Sequence, residues 1–563
     1  MSVSVDVALE AAQDALARHE WASAYEALAA LPRIDDPAIE CDRLEMLAEA
    51  AWWTSRLDEC IALREHAYSL RAGGADVDVE RVARIAISLF DDQCFKGRRA
   101  VASGWLQRAR RALDAAPETV THGYLALKLA ETAHSNGAFD AALDHAAQAL
   151  QIARQYRDRD LEADALQCTG RLLIERGAPD DGLALYDEAM LLAVDGSLSP
   201  FTTGKVYCSL ISACEELGDV RRAAEWTEVG AQWSDSHPFA VFPGLCRVHR
   251  AELMQLRGAW AEAEAEARRA TVELCDVNML NTGMAYYAIA EVRRRLGDHA
   301  GAAAAFTRAE EHGCSAQPGE ALLQLATGDV DRAHASIQRA LSECEDRPLA
   351  QAKLLPAYVE IAVARDDLAT AGAASRELDS IAAQYASPGL RAAAVMARGR
   401  VALAEGATDE ACRELRHALH EWQALDVPYE VGETRVLLGR ASRAAGDEHG
   451  ARASFDAAIA IFQRLGAAAD AQRAQRDRAG GAGLPCGLSA REVEVLEQVA
   501  VGSTNKQIAE ALHLSEKTVA RHLSNIFAKI GVTSRSAATA FAFEHRLTSR
   551  RAALDDGSNH PRR

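Results

Sequence analysis

In the run SEKTVARHLSNIFAKIGV, Lys517, Arg521 and Ser524 stand four and three residues apart. In a helix that spacing puts two cations and a hydroxyl on one face. Such groups suit phosphate oxygens and the edges of bases. A guanidinium can grip guanine O6 and N7 with two hydrogen bonds, and an ammonium can hold a phosphate as a point charge. Val519, Leu523, Ile526 and Ile530 follow the spacing i, i+4, i+7, i+11, which makes a separate apolar stripe. About 15 residues of helix measure roughly 22 Å, enough to lie in a DNA major groove.

The elements that must hold this helix are marked by their caps. Ser489-x-x-Glu492 is a capping box that opens a first helix, with Val493, Leu496 and Val499 as its apolar side and Gly502 as its end. Thr504-x-x-Gln507 is a second capping box, opening a short helix with Ile508 and Leu512 facing inward. His513-Leu514 makes the turn, and Ser515 caps the third helix. Thr533–Leu547 is expected to form a fourth helix, carrying Ala537, Ala540, Phe541 and Phe543. The second and third helices read as a helix-turn-helix.

The run Gly487–Leu547 resembles the LuxR-type DNA-binding domain. The matching pieces are Leu488-Ser489-x-Arg491-Glu492, Glu494-Val495-Leu496, Asn505-Lys506-x-Ile508-Ala509, Leu514-Ser515-x-Lys517-Thr518-Val519, His522-Leu523-x-Asn525-Ile526 and Lys529-Ile530-Gly531-Val532-x-x-Arg535. Region four of sigma factors is a weaker match, since it usually lacks the His522 equivalent and the Lys-Ile-Gly-Val-x-x-Arg continuation. The resemblance implies a dimeric bacterial transcription regulator on double-stranded DNA. Ala520, Arg521 and Ser524 take the positions of the family's base and phosphate contacts. Ala520 departs from the Lys that relatives often carry there. Asn505, Lys506, Lys517, Thr518 and Arg535 would position the phosphate backbone. His522, beside the apolar stripe, reads as a packed residue.

The rest of the chain keeps a beat of about forty residues. A Gly recurs with Ala five and twelve positions later, at Gly97, Gly137, Gly297, Gly328, Gly406 and Gly446. Gly177, Gly218, Gly258 and Asp366 mark copies with substitutions, and weaker copies lie around Glu20–Leu31 and Arg56–Ala67. The spacing predicts one helical hairpin per repeat. The marker ends the first helix in a left-handed conformation, a small or acidic residue caps the second, and two alanines share one face. One hairpin cannot bury its apolar face alone, so copies must stack. Over Ala8–Leu465 this resembles the tetratricopeptide-repeat superfamily in a longer-repeat form. The short step from Gly297 to Gly328 reads either as a kink or as a harmless deletion. The expected architecture is all-α, with a tetratricopeptide-like alpha-solenoid over 1–466, a linker over 467–486, the four-helix module over 487–547 and a disordered tail over 548–563.

Charge is divided unevenly. From Leu484 onward there are 11 Lys and Arg against 8 Asp and Glu, leaving 51 against 74, or −23, for the remainder. The long part should repel phosphate, and the short module should not. No apolar run is long enough for a membrane span, and the first residues do not read as a signal peptide. The 12 cysteines show no CxxC pair and no zinc spacing, which favours reduced thiols. Ser199 and Thr203-Gly204-Lys205-Val206 do not complete a phosphate-binding loop. There is no alternating strand-helix pattern for a receiver domain, and no catalytic, cofactor or metal set can be assigned. The expectation is a non-enzymatic, cytoplasmic DNA-binding regulator. Its repeats would take a protein, peptide or small molecule in a concave groove. The rival expectation is an interaction scaffold with secondary or lost DNA binding.

Overall fold

The computed structural model describes residues 5–73, 77–236, 242–275, 278–480, 486, 488–512, 514–545 and 547. It contains helices and no strands among them, and divides into two compact units, Met1–Gln472 and Arg473–Arg563. The first unit is a tetratricopeptide-like alpha-solenoid with twelve hairpins among the described residues. α1 (Val5–Ala17) and α2 (Trp21–Ala29) turn at His19, and α3 (Pro37–Trp53) and α4 (Leu57–Ala72) at Ser55. α5 (Val79–Phe95) and α6 (Arg99–Leu113) turn at Gly97, α7 (Val120–Ser135) and α8 (Phe139–Tyr156) at Gly137, and α9 (Arg159–Glu175) and α10 (Pro179–Val194) at Gly177. α11 (Pro200–Leu217) and α12 (Val220–Ser236) turn at Gly218, α13 (Phe242–Leu256) and α14 (Trp260–Leu274) at Gly258, and α15 (Met279–Leu296) and α16 (His299–Glu311) at Gly297. α17 (Gly319–Ala326) and α18 (Val330–Ser342) turn at Gly328, and α19 (Pro348–Ala364) and α20 (Leu368–Tyr385) at Asp366. α21 (Pro388–Glu405) and α22 (Thr408–Ala424) turn at Gly406, and α23 (Pro428–Ala444) and α24 (Glu448–Leu465) at Gly446.

Every marker of the forty-residue beat sits at positive φ, from 61° at Asp366 to 90° at Gly328. The two weak copies use His19 and Ser55 there, at 59° and 63°. A side chain is strained in that region, so the markers are mostly glycine. Caps follow where the next residue is Asp. Asp298, Asp329, Asp367 and Asp447 each accept a backbone N–H at the start of the second helix. Of the paired alanines, Ala102, Ala109, Ala142, Ala149, Ala302, Ala309, Ala333, Ala411, Ala418, Ala451 and Ala458 are buried, and Ala340 is half-buried. In the fifth hairpin Gly182 replaces the alanine. A Cβ there would stand 2.5 Å from the Gly170 carbonyl oxygen.

First and second helices play different parts. α9 buries residues all round, including Asp164 and Gln167, whereas α8 buries only Ala142, Ala146, Ala149, Ile152 and Ala153. The first helices are therefore the inner layer and the second the outer. Charge inside is paired across hairpins. Lys128 reaches Asp91 at 2.9 Å and Glu131 at 3.2 Å, and Lys205 reaches Glu131 at 3.4 Å and Asp164 at 3.2 Å. Thr203–Val206 thus lies within α11, with Lys205 committed to carboxylates, so it forms no phosphate loop.

The solenoid also coils back on itself. The Gly218 turn packs against Gly389, and the Gly258 turn against Pro428 and Leu465, five hairpins further on. The Tyr385 hydroxyl donates to the Glu175 carbonyl at 3.0 Å, and the Ser387 hydroxyl donates to the Leu217 carbonyl. One core joins Tyr186, Tyr207 and Leu210 to Leu355, Leu378 and Tyr385. The short step is absorbed by α17, only eight residues long, and the core runs on through Ala321, Ala333, Ile337 and Leu354.

One boundary is corrected. The expected linker 467–486 begins with a helix, α25 (Ala468–Arg478), and Ala467, Ala471 and Ala474 are buried. Its alanines at helical spacing supply an apolar edge that the surrounding charge concealed. The Gly-rich stretch 481–485 and the tail 548–563 lie outside the described residues.

Two glycine replacements should have opposite effects. Gly389→Ala would set a Cβ 2.4 Å from the Gly218 carbonyl oxygen, with only backbone to yield. Its expected cost is about 1–3 kcal/mol, seen as a lower melting temperature of the full chain. Gly104 lies inside α6 with open space around it, so Gly104→Ala should stabilise by about 0.5–1 kcal/mol. A melting temperature unchanged by Gly389→Ala would disprove the tight contact between superhelical turns.

Candidate nucleic-acid interface

The second unit contains α26 (Ala490–Ala500), α27 (Asn505–Ala511), α28 (Glu516–Ile530) and α29 (Arg535–Glu544). Both capping boxes form. Ser489 Oγ accepts from the Glu492 backbone and the Glu492 carboxylate accepts from Ser489 N–H at 2.7 Å. Thr504 and Gln507 exchange the same pair of bonds. Gly502 follows α26 at φ 87°, and Gly531 ends α28 at φ 71°. His513 lies outside the described residues. Beside it, Leu514 N–H donates to the Ala509 carbonyl at 2.8 Å, closing the link from α27 to α28.

α28 buries Val519, Leu523, Ile526 and Ile530. They meet Leu488, Val493, Val495, Leu496, Val499, Ile508 and Ala509 in one core. Val495 was not on the expected apolar stripe. Of the four residues singled out for the fourth helix, Ala537 is half-buried and Phe541 packs against the core. Ala538 and Ala542 are fully buried, while Ala540 is exposed and Phe543 is 58% exposed. Its short apolar pattern has alanine on both sides, so packing rather than composition selects the inward face.

The face of α28 away from the core carries Lys517, Ala520, Arg521 and Ser524, all exposed. Lys506 is exposed on α27. Thr518 is half-buried, and its hydroxyl lies 2.7 Å from that of the capping Ser515. Asn505 and Arg535 are turned toward each other: a guanidinium N–H of Arg535 donates to Asn505 Oδ1 at 2.9 Å, and another donates to the Ser503 carbonyl. These two residues tie the start of α29 to the start of α27. His522 is half-buried beside the apolar stripe. Apart from Thr518, the eight candidate residues therefore fall into an exposed group and an internal brace.

Glu492 was read only as a capping-box carboxylate, and Lys529 matched the resemblance without an assigned role. Glu492 is 4% exposed, and beyond its cap it takes the Lys529 ammonium at 2.7 Å, fixing α26 to α28. Arg491 reaches the Leu512 carbonyl at 2.5 Å, holding the end of α27. Partners 37 and 21 residues away give no spacing signal in a sequence.

Burial alone would raise the Glu492 carboxyl. The Lys529 hydrogen bond, the Ser489 backbone N–H and the Lys529 charge outweigh it and hold the group below 4.5. A depressed carboxylate stabilises the fold above its unfolded value, and that contribution is lost as pH falls through the folded value. Lys529→Ala should lower the stability of the segment 473–563 by about 1–2 kcal/mol at neutral pH. The loss should shrink below pH 4.5, where the wild type gives up the same ionic contact. Equal melting of both proteins at pH 7 would refute the tie.

Residues 487–542 match the family model described as bacterial regulatory proteins, luxR family. The uncharacterized transcriptional regulatory protein YhcZ of Bacillus subtilis is 48% identical over 60 residues, 11% of this chain and 28% of that one. The response regulator protein VraR of Staphylococcus aureus is 45% identical over 60 residues, 11% of this chain and 29% of its own. The chain thus spans less than a third of the length of these relatives. Among solved structures, the APC/C hetero-tetramer Cut9-Hcn1 covers 84% of this chain and 97% of its own at TM-score 0.38 and 14% identity. A Rap protein complexed with competence and sporulation factor covers 77% and 98% at TM-score 0.37 and 11% identity. The chain is an alpha-solenoid of tetratricopeptide-like hairpins that carries, at residues 487–542, a helix-turn-helix domain of the luxR family of bacterial regulatory proteins.

Proposed function

We propose that this chain is a cytoplasmic transcription regulator that binds a near-palindromic DNA site as a homodimer, with α28 in the major groove. The observation that carries the reading is the exposed face of α28, where Lys517, Arg521 and Ser524 stand clear of a core that fully engages Val519, Leu523, Ile526 and Ile530. Arg521 takes the base-reading role, since its guanidinium suits guanine. Lys506, Lys517 and Thr518 hold phosphates, and Ser524 contacts base or backbone. Ala520 contributes a methyl contact at most, which shifts the burden of specificity to Arg521. Asn505 and Arg535 act chiefly through their mutual brace, orienting α27.

The solenoid is the receiving part in this reading. The net charge of −23 before Leu484 favours a basic or neutral partner, whether protein, peptide or small molecule. Twelve hairpins give far more surface than dimerisation of a sixty-residue module requires. Control of DNA binding requires that the partner prefer one of two states of the chain.

DNA sites selected by the full chain from a random pool supply the test. Arg521→Ala should weaken binding to the selected site by about 1–3 kcal/mol and relax preference at one base pair, with unchanged circular dichroism. Unchanged affinity in a folded variant would remove Arg521 from the reading set. Val519→Asp should abolish binding differently, by placing an unpaired carboxylate in the core and unfolding the module. For the solenoid, the full chain is compared with 484–563 dimerised by a fused coiled coil. Matching affinities at every salt concentration, unaltered by cell extract, would exclude the solenoid as a regulator.

A further inference from the structure

Inside the solenoid, several buried carboxylates are met by a cation on the same or a neighbouring helix. Asp92 receives Arg64 at 2.6 Å, Glu291 receives Arg294 at 2.9 Å, and Glu40 receives Arg43 at 2.8 Å. Glu215 and Glu252 lack such an arginine or lysine partner among the described residues. Glu215 on α11 faces His249 and Glu252, which lie one turn apart on α13. His249 Nδ1 is 3.1 Å from Glu215 Oε2 and 3.9 Å from Glu252 Oε2. One donor atom from each of the three residues lies within 4.8 Å of the others. His249 is 6% exposed. Glu215 Oε1 is fully buried and has no hydrogen-bond partner among the described residues.

No lysine or arginine forms an ion pair with either carboxylate among the described residues, although Lys353 on α19 exerts its charge on both. Burial pushes the Glu215 carboxyl up to about 7. Burial and then the charge of Glu215 push Glu252 up to about 8. Two inner carboxyl groups are thus held close together beside an imidazole.

We propose that Glu215, His249 and Glu252 form a binding site for a divalent transition-metal cation of the zinc class. One imidazole nitrogen and two carboxylate oxygens are ligands such ions accept, at about 2.0–2.2 Å. Donors around a tetrahedral ion at those lengths stand roughly 3.4 Å apart, between the two spacings seen here. The imidazole argues against calcium and magnesium, which take oxygen sets. Three protein donors leave a position open for water or a small ligand. The ion would join α11 to α13, linking consecutive hairpins through their inner helices. It is separate from the DNA-binding module, so it does not depend on the proposed function.

The full-length chain, stripped with a chelator, is titrated with Zn2+ by calorimetry. One equivalent should bind, raising the melting temperature. Glu252→Gln and His249→Gln should each weaken this binding at least about tenfold while leaving the metal-free melting temperature near the wild-type value. Zinc affinity unchanged in both variants, or no binding to the wild type, overturns the proposal. Hydrogen exchange of the wild type keeps the test decisive should the variants fail to fold. Zinc should slow exchange in α11 and α13, and protection confined to other helices overturns the site.

Discussion

The whole solenoid depends on how closely the two helices of each hairpin approach at their crossing. Ala142 and Ala149, or Ala451 and Ala458, are fully buried there. At the fifth hairpin even a methyl group is too large, since Gly170 and Gly182 each occupy the space a Cβ on the other would need. Close approach shortens the hairpin laterally, so successive first helices stack as a continuous inner layer. The left-handed turns at Gly97 through Gly446 follow from the same demand, because they reverse the chain within a few residues and start the second helix beside the first.

An inner layer made of long helices has to bury polar groups as well as apolar ones. The chain meets this by pairing charges between repeats, as Lys128 and Lys205 do with Asp91, Glu131 and Asp164. Such pairs contribute little net stability, but they are strongly disfavoured when one member is missing. They therefore act against slipped stacking, in which a carboxylate would meet the wrong neighbour. Contacts such as Tyr385 with Glu175 then lock one superhelical turn on the next. The Glu215–His249–Glu252 cluster differs because its carboxylates lack an ion-paired lysine or arginine among the described residues.

The C-terminal module solves a smaller version of the same problem. Its four helices bury few large side chains, and its geometry rests on polar ties of long reach. Glu492 caps α26 and holds Lys529 on α28. Arg535 braces α27 through Asn505 and Ser503. Residues that a family pattern groups as polar and exposed thus divide into those that build the frame and those that α28 presents outward.

Much of this protein was legible from local signals. The repeat period, the turn markers including Asp366, the capping boxes and the buried stripe of α28 all depend on residues within about one helical turn or one hairpin of each other. Periodicity and cap chemistry express such short-range requirements directly. The exposed positions Lys517, Ala520, Arg521 and Ser524 were legible for the same reason, being the complement of a readable stripe. The inward register of α29, the helix α25 within an expected linker, the double role of Glu492 and the Asn505–Arg535 brace were not. Each depends on which distant helix arrives alongside, and a charged or small residue looks the same in sequence whether it meets water or a partner. The contact of Gly218 with Gly389, 171 residues apart in the chain, is the extreme case: local pattern determines that hairpins form and stack, while the superhelical angle accumulated over five of them decides what their outer turns will touch.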